Sequence, residues 1–246
     1  MTNASNNSKT EKFKLTPGTL YLVATPVGNL ADITERALAV LSGVEFIAAE
    51  DSRVTGRLLC HFGITKPMIS YNGDNSRARG AEITARLKAG ETCALVTDAG
   101  TPAVSDPGEE LVMLCAELGI PVTAVPGACA AITAVMLSGL PSSRFAFEGM
   151  IGDTQEERLG RLEEIKNSRH MLVIYESPLR LRELLSDLRS VLGNRRLTIC
   201  RELTKPGEEV LRFDSDTALE YFNRREPRGE YVIVVEGVQN ETRGAQ

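Results

Sequence analysis

From Gly18 onward short apolar runs alternate with longer amphipathic stretches, the rhythm of strands followed by helices. The run Leu20–Ala24 ends in the turn Thr25-Pro26-Val27-Gly28-Asn29, and Asp32 followed by Glu35 predicts an N-cap box opening a helix over Ile33–Leu41. Further strands are predicted at Val44–Ala49, Met68–Tyr71, Thr92–Thr97 and Pro121–Val125. Helices are predicted at Arg77–Ala89 and Glu109–Leu118, the second entered through Asp106-Pro107 as cap and first-turn proline. Such alternation predicts a mostly parallel sheet with helices on both faces.

After Ser138-Gly139-Leu140-Pro141-Ser142-Ser143 the pattern changes. Strands are predicted at Phe145–Met150, Met171–Tyr175, Arg196–Cys200, Glu209–Phe213 and Tyr231–Val235, and helices at Thr154–Lys166, Leu179–Val191 and Ala218–Arg225. Glu209–Phe213 lies only a loop beyond its predecessor, so the second sheet should be mixed. The expected organisation is two α/β lobes, 17–140 and 141–238, with a flexible arm over 1–16 and a short tail over 239–246.

Composition narrows the class. Hydrophobic residues make up 42% and charged residues 25% of 246, tryptophan is absent and aromatics are 5%, so the core must be aliphatic. A net charge of −5 and a pI near 5.3 argue against coating nucleic acid by bulk charge, although a local basic groove stays open. Five scattered cysteines with no Cys-x-x-Cys pair predict neither disulfides nor structural zinc, and with His61 and His170 far apart no metal is expected. No run of 18 apolar residues occurs, and Met1–Thr16 has no apolar signal core, so a cytoplasmic protein is expected.

The unusual residues sit where predicted parallel strands end, which is where open α/β sheets bind ligands. These loops are Thr25–Asn29, Ala49-Glu-Asp-Ser-Arg53, Asp98–Gly108 and Pro126–Ala131. Any one could be only a tight turn; four at one edge predict a small-molecule crevice. The phosphate-loop pattern Gly-x4-Gly-Lys-Ser/Thr is missing and no Gly-x-Gly-x-x-Gly opens the first helix, which weakens ATP and NAD readings.

Taken in order, Leu20–Thr34, Ala49–Arg53, Thr97–Pro102, Ser105–Gly108, Val125–Gly127, Tyr175-Glu-Ser-Pro-Leu-Arg180 and Arg201-Glu-Leu-Thr-Lys205 resemble the bacterial small-subunit ribosomal RNA cytidine 2′-O-ribose methyltransferases. These belong to the tetrapyrrole-methylase-like (class III) S-adenosylmethionine-dependent methyltransferases, and the resemblance runs from about Gly18 to Gly237. It implies a two-lobe tetrapyrrole-methylase-like fold, cofactor in a cleft between the lobes, and a homodimer. Carried over by motif, Asp98, Ala99, Gly100 and Ala103 would line the methionine and ribose part of S-adenosylmethionine. Cys129 and Ala130 would lie against it, Pro26 would shape the floor, and Glu176 and Leu203 would touch it from the second lobe. Two departures are visible. Ser52 stands where Thr is common, which keeps the hydroxyl, and the long form of the family has a further helical segment beyond the last strand, so weaker RNA grip or reliance on other surfaces is expected.

Methyl transfer from a sulfonium is an in-line displacement, so placing the attacking oxygen is the main task. A ribose 2′-hydroxyl gains from a base or from a cation that stabilises the developing alkoxide. Glu50, Asp51, Glu202 and Lys205 are the candidates, with Asp51 and Lys205 first; the same charges could instead be ion pairs bracing the structure. From Pro141 onward 15 arginines and 2 lysines face 19 acidic residues, and arginine suits phosphate contact and base stacking. Arg53, Arg180, Arg182 and Arg201 are the expected RNA contacts, against the alternative of a solvated helix face for Arg180 and Arg182. Two competing readings stand beside this one: a tetrapyrrole-precursor methylase of the same fold, and an RNA-binding ribosome-assembly factor without chemistry.

Overall fold

The structure, a computed structural model, describes residues 14–239. Most of the arm expected over 1–16, and all but the first residue of the tail expected over 239–246, lie outside the described residues. Ten strands and eight helices occur among those described, in two compact units. One comprises the chain up to Thr25 together with Asp32–Gly127; the other comprises Pro26–Ala31 together with the chain from Ala128 onward.

In the first unit Leu20–Val23 (β1), Phe46–Ala49 (β2), Met68–Ser70 (β3), Cys93–Val96 (β4) and Val122–Val125 (β5) pair in the order β3-β2-β4-β1-β5, all parallel. β2 and β4 read Phe-Ile-Ala-Ala and Cys-Ala-Leu-Val with every residue buried, as strands covered on both faces require. On one face Tyr21, Val23, Ile47 and Ala49 pack against helix α1 (Glu35–Gly43) and Leu59 of α2 (Ser52–His61). On the other, Leu20, Phe46, Ala48 and Leu95 pack against α3 (Ser76–Lys88) and α4 (Glu109–Glu117). The chain leaves the neighbours β1 and β4 in opposite directions, toward β2 and toward β5, so a crevice opens at their carboxyl ends.

Two caps differ from the sequence expectation. Thr34, not Asp32, caps α1, its hydroxyl accepting the Ala37 N–H at 3.0 Å, while Asp32 closes a short 3-10 turn over Leu30–Asp32. Asp106 does not cap α4; Gly108 turns the chain into it at φ +142°, where a Cβ would strike Leu95. Helix α2 was not foreseen, because its cap, Asp51, reads in sequence as chemistry.

The second unit holds α5 (Ala130–Leu137), β6 (Phe145–Gly149), α6 (Gln155–Ile165), β7 (Met171–Glu176), α7 (Leu181–Leu192), β8 (Arg196–Arg201), β9 (Glu209–Asp214), α8 (Ser215–Asn223) and β10 (Tyr231–Val235). Its sheet runs β6-β7-β10-β8-β9, with β6 and β7 parallel and all other pairs antiparallel. Leu172, Ile174, Ile199 and Ile233 face α6, α7 and α8, whereas Val173, Cys200 and Val234 face α5. The units divide before α5 and not at Ser138–Ser143, because Ala131 and Ala134 seat that helix on the second sheet. Its sequence Ala-Ala-Ile-Thr-Ala-Val-Met-Leu shows no polar period from which to read a helix. Among the described residues no helix is long and apolar enough to cross a membrane.

Arg158 lies buried between α6 and α7, donating from Nε to Asp187 Oδ2 and from Nη2 to Glu183 Oε2, both at 3.0 Å. Replacing Arg158→Met strands a buried carboxylate at Asp187 and should cost about 3–5 kcal/mol in urea unfolding, most of it recovered on adding Asp187→Leu.

Candidate functional site

In the first unit five loops leave one sheet edge, and backbone hydrogen bonds join the two at the crevice. Thr25 N–H donates to Gly100 O at 2.8 Å and Gly100 N–H to Thr25 O at 3.1 Å. The Thr25 hydroxyl adds a bond to Thr97 O at 3.2 Å. Gly100 holds φ +80°, a conformation glycine adopts without strain. At Gly127 a Cβ would lie 3.0 Å from the Ala24 methyl, so the loop after β5 also closes on the end of β1.

A second clasp joins β2 to β4. Asp98 Oδ1 accepts the Asp51 N–H at 3.2 Å, and Glu50 Oε2 accepts the Asp98 N–H at 3.1 Å. Desolvation raises the pKa of both Glu50 and Asp98, with the neighbouring carboxylates adding to it. Asp51 behaves in the opposite way. It caps α2 by accepting the Arg53 N–H at 2.8 Å and takes the Arg53 guanidinium through Nε and Nη2, which holds its carboxyl well below the usual range. Of the two readings of Asp51, base or ion pair, the geometry gives it the second. Glu50, raised where Asp51 is lowered, is the more basic of these two.

Beyond Gly100 the loop stays unusual. Ala103 and Ser105 hold φ +62° and +64°, left-handed values costly to non-glycine residues. The loop forms one wall of a cavity of about 360 Å³, shared with Tyr71 and Ser76. Asp106 lines it; burial, with Glu50 and Asp98 adding to it, pushes its carboxyl up to about 7. No sequence motif signals this, since the shift comes from surroundings and not from neighbours in the chain.

In the second unit the Arg201–Lys205 motif forms a compact turn after β8. Glu202 and Thr204 hold φ +50° and +66°, and for the β-branched Thr204 that is a strained state. The turn is fixed from outside: Glu202 N–H donates to Glu230 O at 3.0 Å, and Thr204 N–H to Glu208 Oε2 at 2.7 Å. Lys205 Nζ lies 2.9 Å from Glu202 Oε1 and 2.8 Å from Glu230 Oε2. Burial alone would lower the lysine pKa, but the two carboxylates outweigh it and the net direction is upward, so the ammonium stays charged. Two glycines let neighbouring backbone reach this turn. A Cβ on Gly229 would lie 2.7 Å from the Glu202 carboxylate, and one on Gly28 would collide with Lys205 Cγ and lie 2.9 Å from Leu203 O. Pro26–Ala31 is thereby seated against Leu203–Lys205, which brings Pro26 and the buried Leu203 into one neighbourhood.

Cys129 is the N-cap of α5 but gives no side-chain cap; the Tyr175 hydroxyl instead accepts the Ala131 N–H at 3.0 Å. Cys129 and Ala130 thus open a helix held by Tyr175, the residue before Glu176. Glu176 Oε1 accepts from Ser177 N–H at 2.7 Å and Arg180 Nε at 3.0 Å, while Oε2 is buried with no partner. A buried carboxylate oxygen without a donor is a position for a ligand's N–H or O–H.

The arginines depart from expectation. Arg180 is taken up by Glu176, by Asp153 Oδ1 at 2.8 Å and by Gly152 O. Arg182 donates to Phe222 O and Arg225 O behind α8, and Arg201 to Arg228 O and Glu209. Arg53, paired with Asp51, still has 88% of its side chain exposed. Sequence reasoning missed the roles of Glu230, Glu208, Tyr175 and Asp106; Glu230 and Tyr175 reach their partners from far along the chain, whereas Glu208 and Asp106 act from within or beside their own loops. Among the described residues no group of three or more His, Cys, Asp or Glu is placed to hold a metal ion.

Each unit therefore offers small residues, strained loops and acceptors short of donors, an environment suited to a cationic ligand carrying hydroxyl and amine groups. Comparison with known proteins agrees. The profile of the family described as Tetrapyrrole (Corrin/Porphyrin) Methylases matches residues 19–218. The chain is 48% identical over 227 residues to Ribosomal RNA small subunit methyltransferase I of Synechocystis sp., covering 92% of this chain and 81% of that protein. It is 47% identical over 220 residues to the protein of the same name from Halalkalibacterium halodurans, covering 89% and 76%. A solved uroporphyrin-III C-methyltransferase from Thermus thermophilus, complexed with S-adenosylhomocysteine, shares the fold with a TM-score of 0.63 at 19% identity, covering 89% of this chain and 97% of that one.

The Asp106 carboxyl, ordinarily near 3.8, is raised in the folded state, so its contribution favours folding at low pH and is lost as pH rises from about 4 through about 7. Asp106→Asn lacks that loss, and its melting temperature relative to the parent should be higher at about pH 8 than at about pH 4; equal differences would refute the assignment.

Proposed function

The chain belongs to the tetrapyrrole (corrin/porphyrin) methylase family, and from that premise we propose that it methylates small-subunit ribosomal RNA with S-adenosylmethionine, at the ribose 2′-hydroxyl of a cytidine. The reading includes the small ribosomal subunit as the setting, the cytoplasm as the place and a second copy of the chain as partner. Exposed Ile132 and Met136 on α5, 45% and 78% accessible, support self-association.

When bound, S-adenosylmethionine supplies a methyl carbon activated by a sulfonium leaving group. In the first unit Asp98, Ala99, Gly100 and Ala103 would hold it, the Asp98 carboxylate accepting hydroxyl donors and the small residues admitting close backbone approach. In the second, Pro26, Cys129, Ala130 and Leu203 would contribute apolar and backbone surface. The unpartnered Oε2 of Glu176 would accept an N–H or O–H. This acceptor-rich set suits a ligand that carries positive charge.

One observation carries the assignment of Lys205 as the cation of this reading: its ammonium is held between Glu202 and Glu230 in a strained turn. A fixed cation of this kind stabilises a developing alkoxide without reorganising as the charge forms. Within the first unit Glu50, with its raised pKa, is the candidate base; Asp51 stays ionised on Arg53 and caps α2.

The test incubates the protein with methyl-labelled cofactor and either small ribosomal subunits or naked rRNA, followed by nucleoside mass analysis. Label in 2′-O-methylcytidine is expected; label in a base, or only in a porphyrinoid, would overturn the reading. Asp98→Ala should abolish cofactor binding in calorimetry. Lys205→Ala should keep that binding and lower kcat about a hundredfold or more, as loss of one oxyanion donor does.

A further inference from the structure

Three of the four arginines expected to meet RNA are engaged within the second unit, so RNA must be met elsewhere. The first unit has a strong candidate. From Ser52 to Gly73 the chain has no Asp or Glu, where its overall acidic content would place about three, yet it carries Arg53, Arg57, His61 and Lys66. The first three lie on α2 at intervals of four residues. That spacing sets them one above another, about 6 Å apart along the axis and within an arc of about 80°. All three are exposed, and the buried residues of the helix, Thr55 and Leu59, lie on the opposite side.

A solvated helix face ordinarily mixes the two signs, as α6 does by pairing Arg161 with Glu164 and α3 by pairing Arg79 with Glu82. Helix α2 contains no acidic residue. Among the described residues neither Arg57 nor His61 has a carboxylate within ion-pair distance, and His61 packs only its ring edge on Phe62. Arg53 spends Nε and Nη2 on Asp51 and keeps Nη1 for another acceptor. The row starts at the candidate site, since the fields of Arg53 and Arg57 both reach the Asp98 carboxylate.

We infer that the exposed face of α2 is a phosphate-binding ridge along which Arg53, Arg57 and His61 engage successive backbone phosphates of an RNA strand. The inference rests on the reading of RNA as the substrate. Arginine offers a planar fork of donors to phosphate oxygens, and the rise between members of the row is comparable with the separation of neighbouring phosphates along a strand. Contacts of this kind position RNA without reading its bases.

The experiment measures affinity of the full chain for naked small-subunit rRNA by filter retention across a range of salt, for the parent, Arg57→Gln, Arg57→Lys and Arg57→Gln/His61→Gln. Loss of the Arg57 contact should weaken binding and make the slope of log K against log salt shallower by about 0.7, the double variant should bind more weakly still, and Arg57→Lys should stay close to the parent. Cofactor affinity and melting temperature should not change. Glutamine variants that bind with the parent's affinity and slope would overturn the ridge while leaving the methyltransferase reading intact. A parent chain that neither binds nor methylates rRNA would overturn both.

Discussion

The loops that carry the chemistry of the first unit depend on a reciprocal exchange at its sheet edge. Glu50 accepts the N–H of Asp98, and Asp98 accepts the N–H of Asp51. Each carboxylate satisfies a backbone donor of the other's loop, so neither loop can move without orphaning a polar group. The exchange needs a parallel sheet, because only parallel strands bring the ends of β2 and β4 to the same edge in register. Burial, with the neighbouring acids adding to it, raises Glu50, Asp98 and Asp106, and an acceptor-rich edge of that kind favours a ligand bearing positive charge.

The second unit solves a different problem, keeping a lysine charged and still while partly removed from water. Two carboxylates from separate parts of the chain offset the desolvation of Lys205, and the turn that carries Glu202 and Lys205 is tied down by a backbone bond to Glu230 and by Glu208. Strain at Glu202 and Thr204 persists because those surroundings over-determine the turn. Gly28 and Gly229 are required here for space, since any side chain would displace the groups that hold the lysine.

An acidic protein with RNA as its proposed substrate must separate its charges. Most arginines of the second unit are consumed by carboxylates and carbonyls, which explains why a chain rich in arginine there has little free cation to show. Basic character survives where acidic neighbours are missing, on α2, and bulk net charge conceals that arrangement.

Much of the fold was legible in sequence, because parallel strands buried on both faces must be apolar runs and their connecting helices must be amphipathic. All ten strands lie within a residue or two of their expected places. Helices α2 and α5 escaped: the first begins with residues that look catalytic, and the second is apolar all round. The Asp98–Gly100, Glu50–Arg53 and Arg201–Lys205 motifs were visible as clusters of residue types that predict a small-molecule crevice, and the expected ligand and reaction came from the family that their order resembles. Roles within those clusters could not. Asp51 and Asp98 are both carboxylates in loops, yet one is an ionised helix cap and the other a desolvated clasp. Arg180 caps α7 and Arg57 lies within α2, yet the first is held by Glu176 and the second has no acid within ion-pair distance among the described residues. By itself the sequence determined the strands, the sheet edge and the residue types gathered there, since local periodicity and steric demand decide those. Burial, hydrogen-bond partners and field were decided only by the tertiary structure, because Glu230 reaches Lys205, Tyr175 reaches Ala131 and Glu50 reaches Asp106 through space, from strands and loops that the sequence order keeps apart.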